Sequence, residues 1–141
     1  MKSLLAIDPG ARTGYAYFLR EKDTWALAGA AVSAPSVYYP CALSPDYVVI
    51  ECPDRVFGYA RTRDIFKLAR IVGRYVERYE SSSLLLVSPH VWKGSVDGDI
   101  MTARIRAALT VAEAEIVRGL DHNALDAVGL GKWAVRQARF R

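Results

Sequence analysis

Three acidic residues, far apart in the chain, occupy positions where a carboxylate has chemistry open to it. Asp8 ends the apolar run of SLLAIDPG, Glu51 ends that of YVVIEC, and Asp126 lies within LDHNALDAVGLGKW. A carboxylate at the end of a buried strand points into a crevice at the sheet edge, within reach of metal and phosphate. Each has an ordinary explanation as well: turn chemistry for Asp8, a satisfied or rim-exposed glutamate for Glu51, a surface aspartate for Asp126. Glu51, directly after Val48, Val49 and Ile50, is nonetheless a poor core residue, because an unpaired buried carboxylate is costly. Two strand ends and one helix can bring the three into one crevice. Such oxygen ligands suit Mg²⁺ or Mn²⁺, which take a few carboxylates and keep water and phosphate as other ligands. Two such ions about 4 Å apart activate a water and stabilise a leaving 3′-oxygen. The chemistry implied is metal-dependent phosphodiester hydrolysis.

Around Asp126 the helical spacing adds candidates. His122 and Asn123 stand four and three residues before it, on the same face, and Asp121 reads as the N-cap. Ala127, Gly129 and Gly131 follow, small enough to let this helix lie close to a sheet. A glycine inside a helix costs about 1 kcal/mol, so packing or function must justify two.

The elements that have to position these residues are legible in order. Residues 3–9 read as a buried strand stopped by Asp-Pro-Gly, 13–20 as its hairpin partner, and 24–32 as a third strand. Residues 33–45, with Pro35, Pro40 and Pro45, are a loop; Tyr47–Cys52 is a β-branched strand. A loop mixing aromatics and arginines, 53–61, precedes a helix from Thr62 to about Tyr79. Its stripe is Ile65, Leu68, Ala69, Val72, Val76 and Tyr79, with Phe66, Ile71 and Tyr75 as apolar surplus that would suit a partner subunit. Leu84–Val87 is a further strand, 100–114 a helix striped by Met101, Ile105, Ala108, Leu109 and Ala112, and the last helix runs to about Ala138. Three antiparallel strands followed by strand–helix units predict an α/β fold, a mixed sheet with helices packed on it.

The chain has 141 residues, enough for one domain spanning 1–141 with its own core. No apolar run approaches the roughly 18 residues of a membrane span, so the expectation is a cytoplasmic protein without membrane contact. Cys41 and Cys52 make no disulfide framework, and with His90 and His122 they show no zinc-finger spacing. The net charge is +4 and the isoelectric point about 9.2, compatible with nucleic acid. The basic residues cluster: Arg55, Arg61, Arg63, Lys67, Arg70 and Arg74, then Arg136, Arg139 and Arg141. In the 53–61 loop, Arg55, Phe57 and Tyr59 are candidates to wedge and stack on an unpaired base, while Arg61 and Lys93 are candidate phosphate contacts.

Four segments, in order, resemble the motifs of the RuvC-type Holliday-junction resolvases. LLAIDPGARTGYAYF resembles the first, YVVIECP the second, VSPHVWKGSV the segment after the next strand, and LDHNALDAVGLGKWA the closing helix. Together they span nearly the whole chain, which is compact beside typical cellular members, as bacteriophage variants are. The resemblance implies an RNase H-like mixed five-stranded sheet with helices on both faces. It also implies a homodimer and paired Mg²⁺-dependent incisions across a four-way DNA junction, with no small-molecule cofactor. It supports Asp8, Glu51 and Asp126 as metal ligands. The family places an acid or a histidine three residues before the last aspartate, where this chain has Asn123; Asn123, His122 or Asp121 then completes the site. An RNase H-like nuclease for other branched DNA or RNA would share the acidic trio. A catalytically silent junction-binding module is the reading opened by Asn123. A sugar-kinase or actin-like ATPase would need a second such domain and a second phosphate loop.

Overall fold

The computed structural model describes residues 1–34, 44–53 and 62–140. Its sheet has five strands in the order β3-β2-β1-β4-β5: β1 Lys2–Asp8, β2 Thr13–Glu21, β3 Thr24–Ser33, β4 Tyr47–Glu51 and β5 Ser83–Val87. β1 pairs antiparallel with β2, and β2 with β3, whereas β4 lies parallel to β1 and β5 parallel to β4. The mixed sheet expected from the sequence is therefore present.

β1 reads as a continuous apolar run because both of its faces are covered. Leu4 and Ala6 join a core with Phe18, Val49 and the apolar residues of helix α5 (His122–Ala134). Leu5 and Ile7 face the other way, into a core with Tyr15, Val48, Ile50 and helix α1 (Thr62–Arg78). Period-two alternation thus divides one strand between two helical layers. On the α5 side lie three more helices: α2 Pro89–Lys93, α3 Gly98–Ala107 and α4 Val111–Ile116.

Several expectations need correcting. On α1 the buried stripe is Val72 and Tyr75, continued by Tyr79 just past its end. Tyr75 is fully buried, with its hydroxyl 2.6 Å from that of Tyr15. Ile71 packs partly on the same core and Ala69 is exposed. Of the surplus assigned to a partner, only Phe66 stands in solvent, at 63%. The helix expected over 100–114 is two helices. Thr110 accepts from the Glu113 backbone and Glu113 reaches back to the Thr110 N–H, a capping box that starts α4 where the apolar stripe ran on. Residues 89–93, read only as the segment stopping β5, form α2, with proline at its start. The last helix ends at Ala134, and Ala138–Phe140 is a short 3₁₀ turn whose Phe140 packs edge-on against Tyr47. Among the described residues, no helix is long and apolar enough to cross a membrane.

Candidate active site

Asp8 and Glu51 are brought together by strand pairing. β1 and β4 are parallel neighbours with Ile7 opposite Ile50, so the next residue of each strand is the carboxylate. Alternation sets the side: Ile7 and Ile50 face α1, and Asp8 and Glu51 therefore face α5. Glycine lets that helix come down onto the site. Gly14 is the β2 residue opposite Asp8, and a Cβ placed on it would lie 1.9 Å from the backbone oxygen of Asn123. The first turn of α5 thus rests on bare strand, and Asp126 follows one turn later. Gly131 does the same further along, against Phe18 of β2. Gly129 differs from expectation: it faces Ile105 of α3 and Trp92 of α2 rather than the sheet.

The electrostatics report how close the three acids are. Burial, then the negative charges of Glu51 and Asp126, raise the Asp8 pKa to about 8, against the opposing pull of the Lys93 ammonium. Asp126 is also raised by burial, with Lys93 and His122 pulling the other way. The Lys93 ammonium lies 3.4 Å from a Glu51 oxygen and 3.8 Å from an Asp126 oxygen. The Trp92 indole N–H donates to Glu51 at 2.7 Å. Lys93 was expected to face phosphate; it is here an internal cation amid carboxylates, its side chain 23% exposed. Neither Trp92 nor the inward direction of Lys93 was read from the sequence. The available signal was a tryptophan just after the strand beside Glu51, since a buried indole N–H requires an acceptor.

The residues at the start of α5 divide into two groups. Asp121 caps the helix, accepting from the Asn123 backbone at 3.0 Å and from the Asn123 side-chain amide at 3.2 Å. Arg12 donates to it at 2.9 Å. Burial would raise the Asp121 carboxyl, but those donors hold it below its ordinary value. Asp121 and Asn123 are thus engaged with each other. His122 is exposed, and its charge reaches Asp126.

The donor set fits a hard divalent cation. Three carboxylates share a partly buried cleft with the Lys93 ammonium, a set of hard oxygen donors whose negative charge exceeds that of the cation beside them. Among the described residues no three His, Cys, Asp or Glu side chains are drawn tightly enough to close around one ion.

Beside the turn that follows Asp8 there is a cleft of about 630 Å³, lined by Gly10, Ala11 and the α1 residues Asp64, Lys67, Leu68, Arg70, Ile71 and Arg74. Arg139, grouped with the basic cluster in the sequence, instead holds the edge strand, donating to Ser83 and to the Leu84 carbonyl at 3.1 Å. Arg55, Phe57, Tyr59 and Arg61 lie outside the described residues, as do Cys41 and Arg141.

No protein-family model matches the sequence, and no curated protein matches it either. Solved structures do. The fold is similar to Thermus thermophilus RuvC in complex with a Holliday junction substrate, with a TM-score of 0.66 at 16% identity, covering 97% of this chain and 95% of that one. A second Thermus thermophilus RuvC structure aligns with a TM-score of 0.61 at 13% identity over 97% and 95% of the two chains. The Fowlpox virus resolvase, bound to Holliday junction DNA, aligns with a TM-score of 0.56 at 15% identity over 96% and 99%. The architecture is therefore the RuvC-type, RNase H-like one that the sequence motifs implied.

Proposed function

We propose that this protein is a structure-specific endonuclease that resolves four-way DNA junctions by divalent-metal-dependent hydrolysis, leaving 5′-phosphate and 3′-hydroxyl ends. The observation that carries the reading is the convergence of Asp8, Glu51 and Asp126 at the C-terminal ends of β1 and β4, where burial first and the other two acids second raise the Asp8 pKa to about 8. The likeness of the whole fold to two junction-bound resolvases supports the choice of substrate.

Mg²⁺, or Mn²⁺ in its place, would be held by Asp8, Glu51 and Asp126, with His122 as the neighbouring fourth group and Asn123 supporting the helix cap. Bound there, such ions supply Lewis-acid stabilisation of the phosphoryl oxygens. Asp8, deeply buried and raised by both other acids, would have to give up its proton to serve as a ligand. Lys93 balances part of the charge of Glu51 and Asp126, and beside a bound cation its ammonium would be placed to contact phosphate. Lys67, Arg70 and Arg74, all exposed on α1, give a strand leaving Asp8 a basic wall. Arg55, Phe57 and Tyr59, which follow Glu51 in the sequence, are proposed to engage the junction centre, and Arg61 a phosphate. The working unit is a homodimer, because each chain has one centre and a two-fold junction presents two strands to cut.

The test is incubation of the purified protein with a synthetic four-way junction, with and without Mg²⁺. Wild type is expected to nick symmetrically only with the metal, while Asp8→Asn binds the junction and leaves it intact. Cleavage by Asp8→Asn would remove the proposal. Binding by wild type without cleavage in either Mg²⁺ or Mn²⁺ would replace it with a silent junction-binding module.

A further inference from the structure

We propose that Trp92 is a positioning residue for the metal centre, fixing both the rotamer of Glu51 and its separation from Asp126. This rests on the reading of Asp8, Glu51 and Asp126 as metal ligands. Trp92 sits in the short helix α2, and its indole, 9% exposed, belongs to the core on the α5 side of the sheet. An indole N–H in such surroundings needs an acceptor, and a backbone carbonyl would serve as well as any. Here the acceptor is the Oε2 of Glu51 at 2.7 Å, a short charge-assisted bond. Lys93 approaches the same oxygen, at 3.4 Å. Both donors converge on Oε2, which leaves Oε1 for an incoming cation.

The other side of the indole touches the helix that carries Asp126. A Cβ on Gly129 would lie 2.8 Å from Cζ3 of Trp92, so only glycine there allows the ring its place. Gly129 is three residues beyond Asp126 on α5, one turn away. The indole therefore lies between the strand that supplies Glu51 and the helix that supplies Asp126. The Lys93 ammonium sits 4.8 Å from the Trp92 ring centroid, so the same residue also flanks that cation. Groups that hydrogen-bond a metal ligand from behind commonly change metal affinity by about 10- to 100-fold when removed.

The experiment uses Mg²⁺ alone as the probe, titrated calorimetrically into wild type and Trp92→Phe, with thermal unfolding to check that the variant is folded. Trp92→Phe keeps an aromatic ring and loses the donor; its Mg²⁺ affinity is expected to fall about 10-fold. A second measurement needs no variant at this position. In ¹H–¹⁵N spectra of wild type, the Trp92 indole N–H is expected to be protected from exchange and to shift on adding Mg²⁺. Glu51→Ala should return it to the position of an unbonded indole, a change that packing alone does not produce. Wild type that binds Mg²⁺ while Trp92→Phe binds it equally well overturns the role of Trp92 and leaves the metal centre standing. A Trp92 indole in rapid exchange and indifferent to Mg²⁺ overturns it too, even if Trp92→Phe does not fold. Wild type that binds no Mg²⁺ removes the metal centre and this inference with it.

Discussion

Asp8 loses its proton near 3.8 in the unfolded chain and near 8 in the folded one, so between those values the folded state binds the extra proton. Folding stability without metal must then fall as pH rises from about 4 to about 8, because the folded state carries a proton that the unfolded chain has already released, and rising pH favours the state with fewer protons. Asp8→Asn is expected to flatten that slope, leaving the smaller part that the raised Asp126 contributes, which thermal melts in chelator across this range will read. Metal binding runs the opposite way. A cation requires the ionised carboxylate, so Mg²⁺ affinity should climb with pH to about 8, level off above it, and be accompanied by proton release. Lys93 adds a second handle. Its charge lowers the Asp8 pKa, so Lys93→Met should move the midpoint of that pH dependence upward while removing the tethered competitor for the ion. At this scale the acidic trio was legible because each acid closes or follows an apolar pattern that has no use for a charge. The partners of Asp121 were half legible: the cap followed from its position, but the Arg12 bond joins residues whose nearness only the fold decides.

The elements place those acids through close approaches that only glycine permits. Gly14 is the sharpest case, since a methyl there would meet backbone, which cannot swing away as a side chain can. Gly14→Ala should cost about 3 kcal/mol, at the upper end of overpacking penalties, and lower Tm by about 10 °C. It should also weaken Mg²⁺ binding, because the helix it displaces carries Asp126. Thr110→Ala, by contrast, removes one arm of a capping box and should cost about 1 kcal/mol with Mg²⁺ binding unchanged. Thr110 also shows why 100–114 misled as a sequence. Met101, Ile105 and Leu109 keep helical spacing up to and into the break, and periodicity does not register where one helix stops and the next begins. The Thr-x-x-Glu signature was present and outweighs the stripe, because two orphan N–H groups are satisfied by it. The surplus on α1 misled for a related reason. Tyr75 was set outside the stripe, yet its hydroxyl finds Tyr15 inside the core, a pairing that no local pattern encodes.

For the whole molecule the question is whether one centre per chain and a basic cleft beside it add up to a junction-cutting assembly. The mixed sheet was legible as strand–helix succession, and helices on both its faces followed from the motif resemblance; the order of strands, with β1 at the centre, was not read from the sequence. Nor was the assembly. The apolar α1 residues once available to a partner are largely absorbed by the chain's own sheet, leaving Phe66 in solvent beside exposed Arg70 and Arg74. A dimer built there would be small in apolar area, and DNA would have to contribute to holding it. Sedimentation should therefore show a dimer whose dissociation constant tightens when a four-way junction is added, and Phe66→Glu should loosen it in both conditions. The cleft makes a separate demand. If Lys67, Arg70 and Arg74 each neutralise a phosphate, replacing all three by Gln should reduce the slope of log affinity against log salt by about 2 to 3 per chain. Affinity would then fall most at low salt, where released counterions contribute most. An unchanged slope would mean that the strand leaves Asp8 by another route and that these side chains are only a solvated helix face.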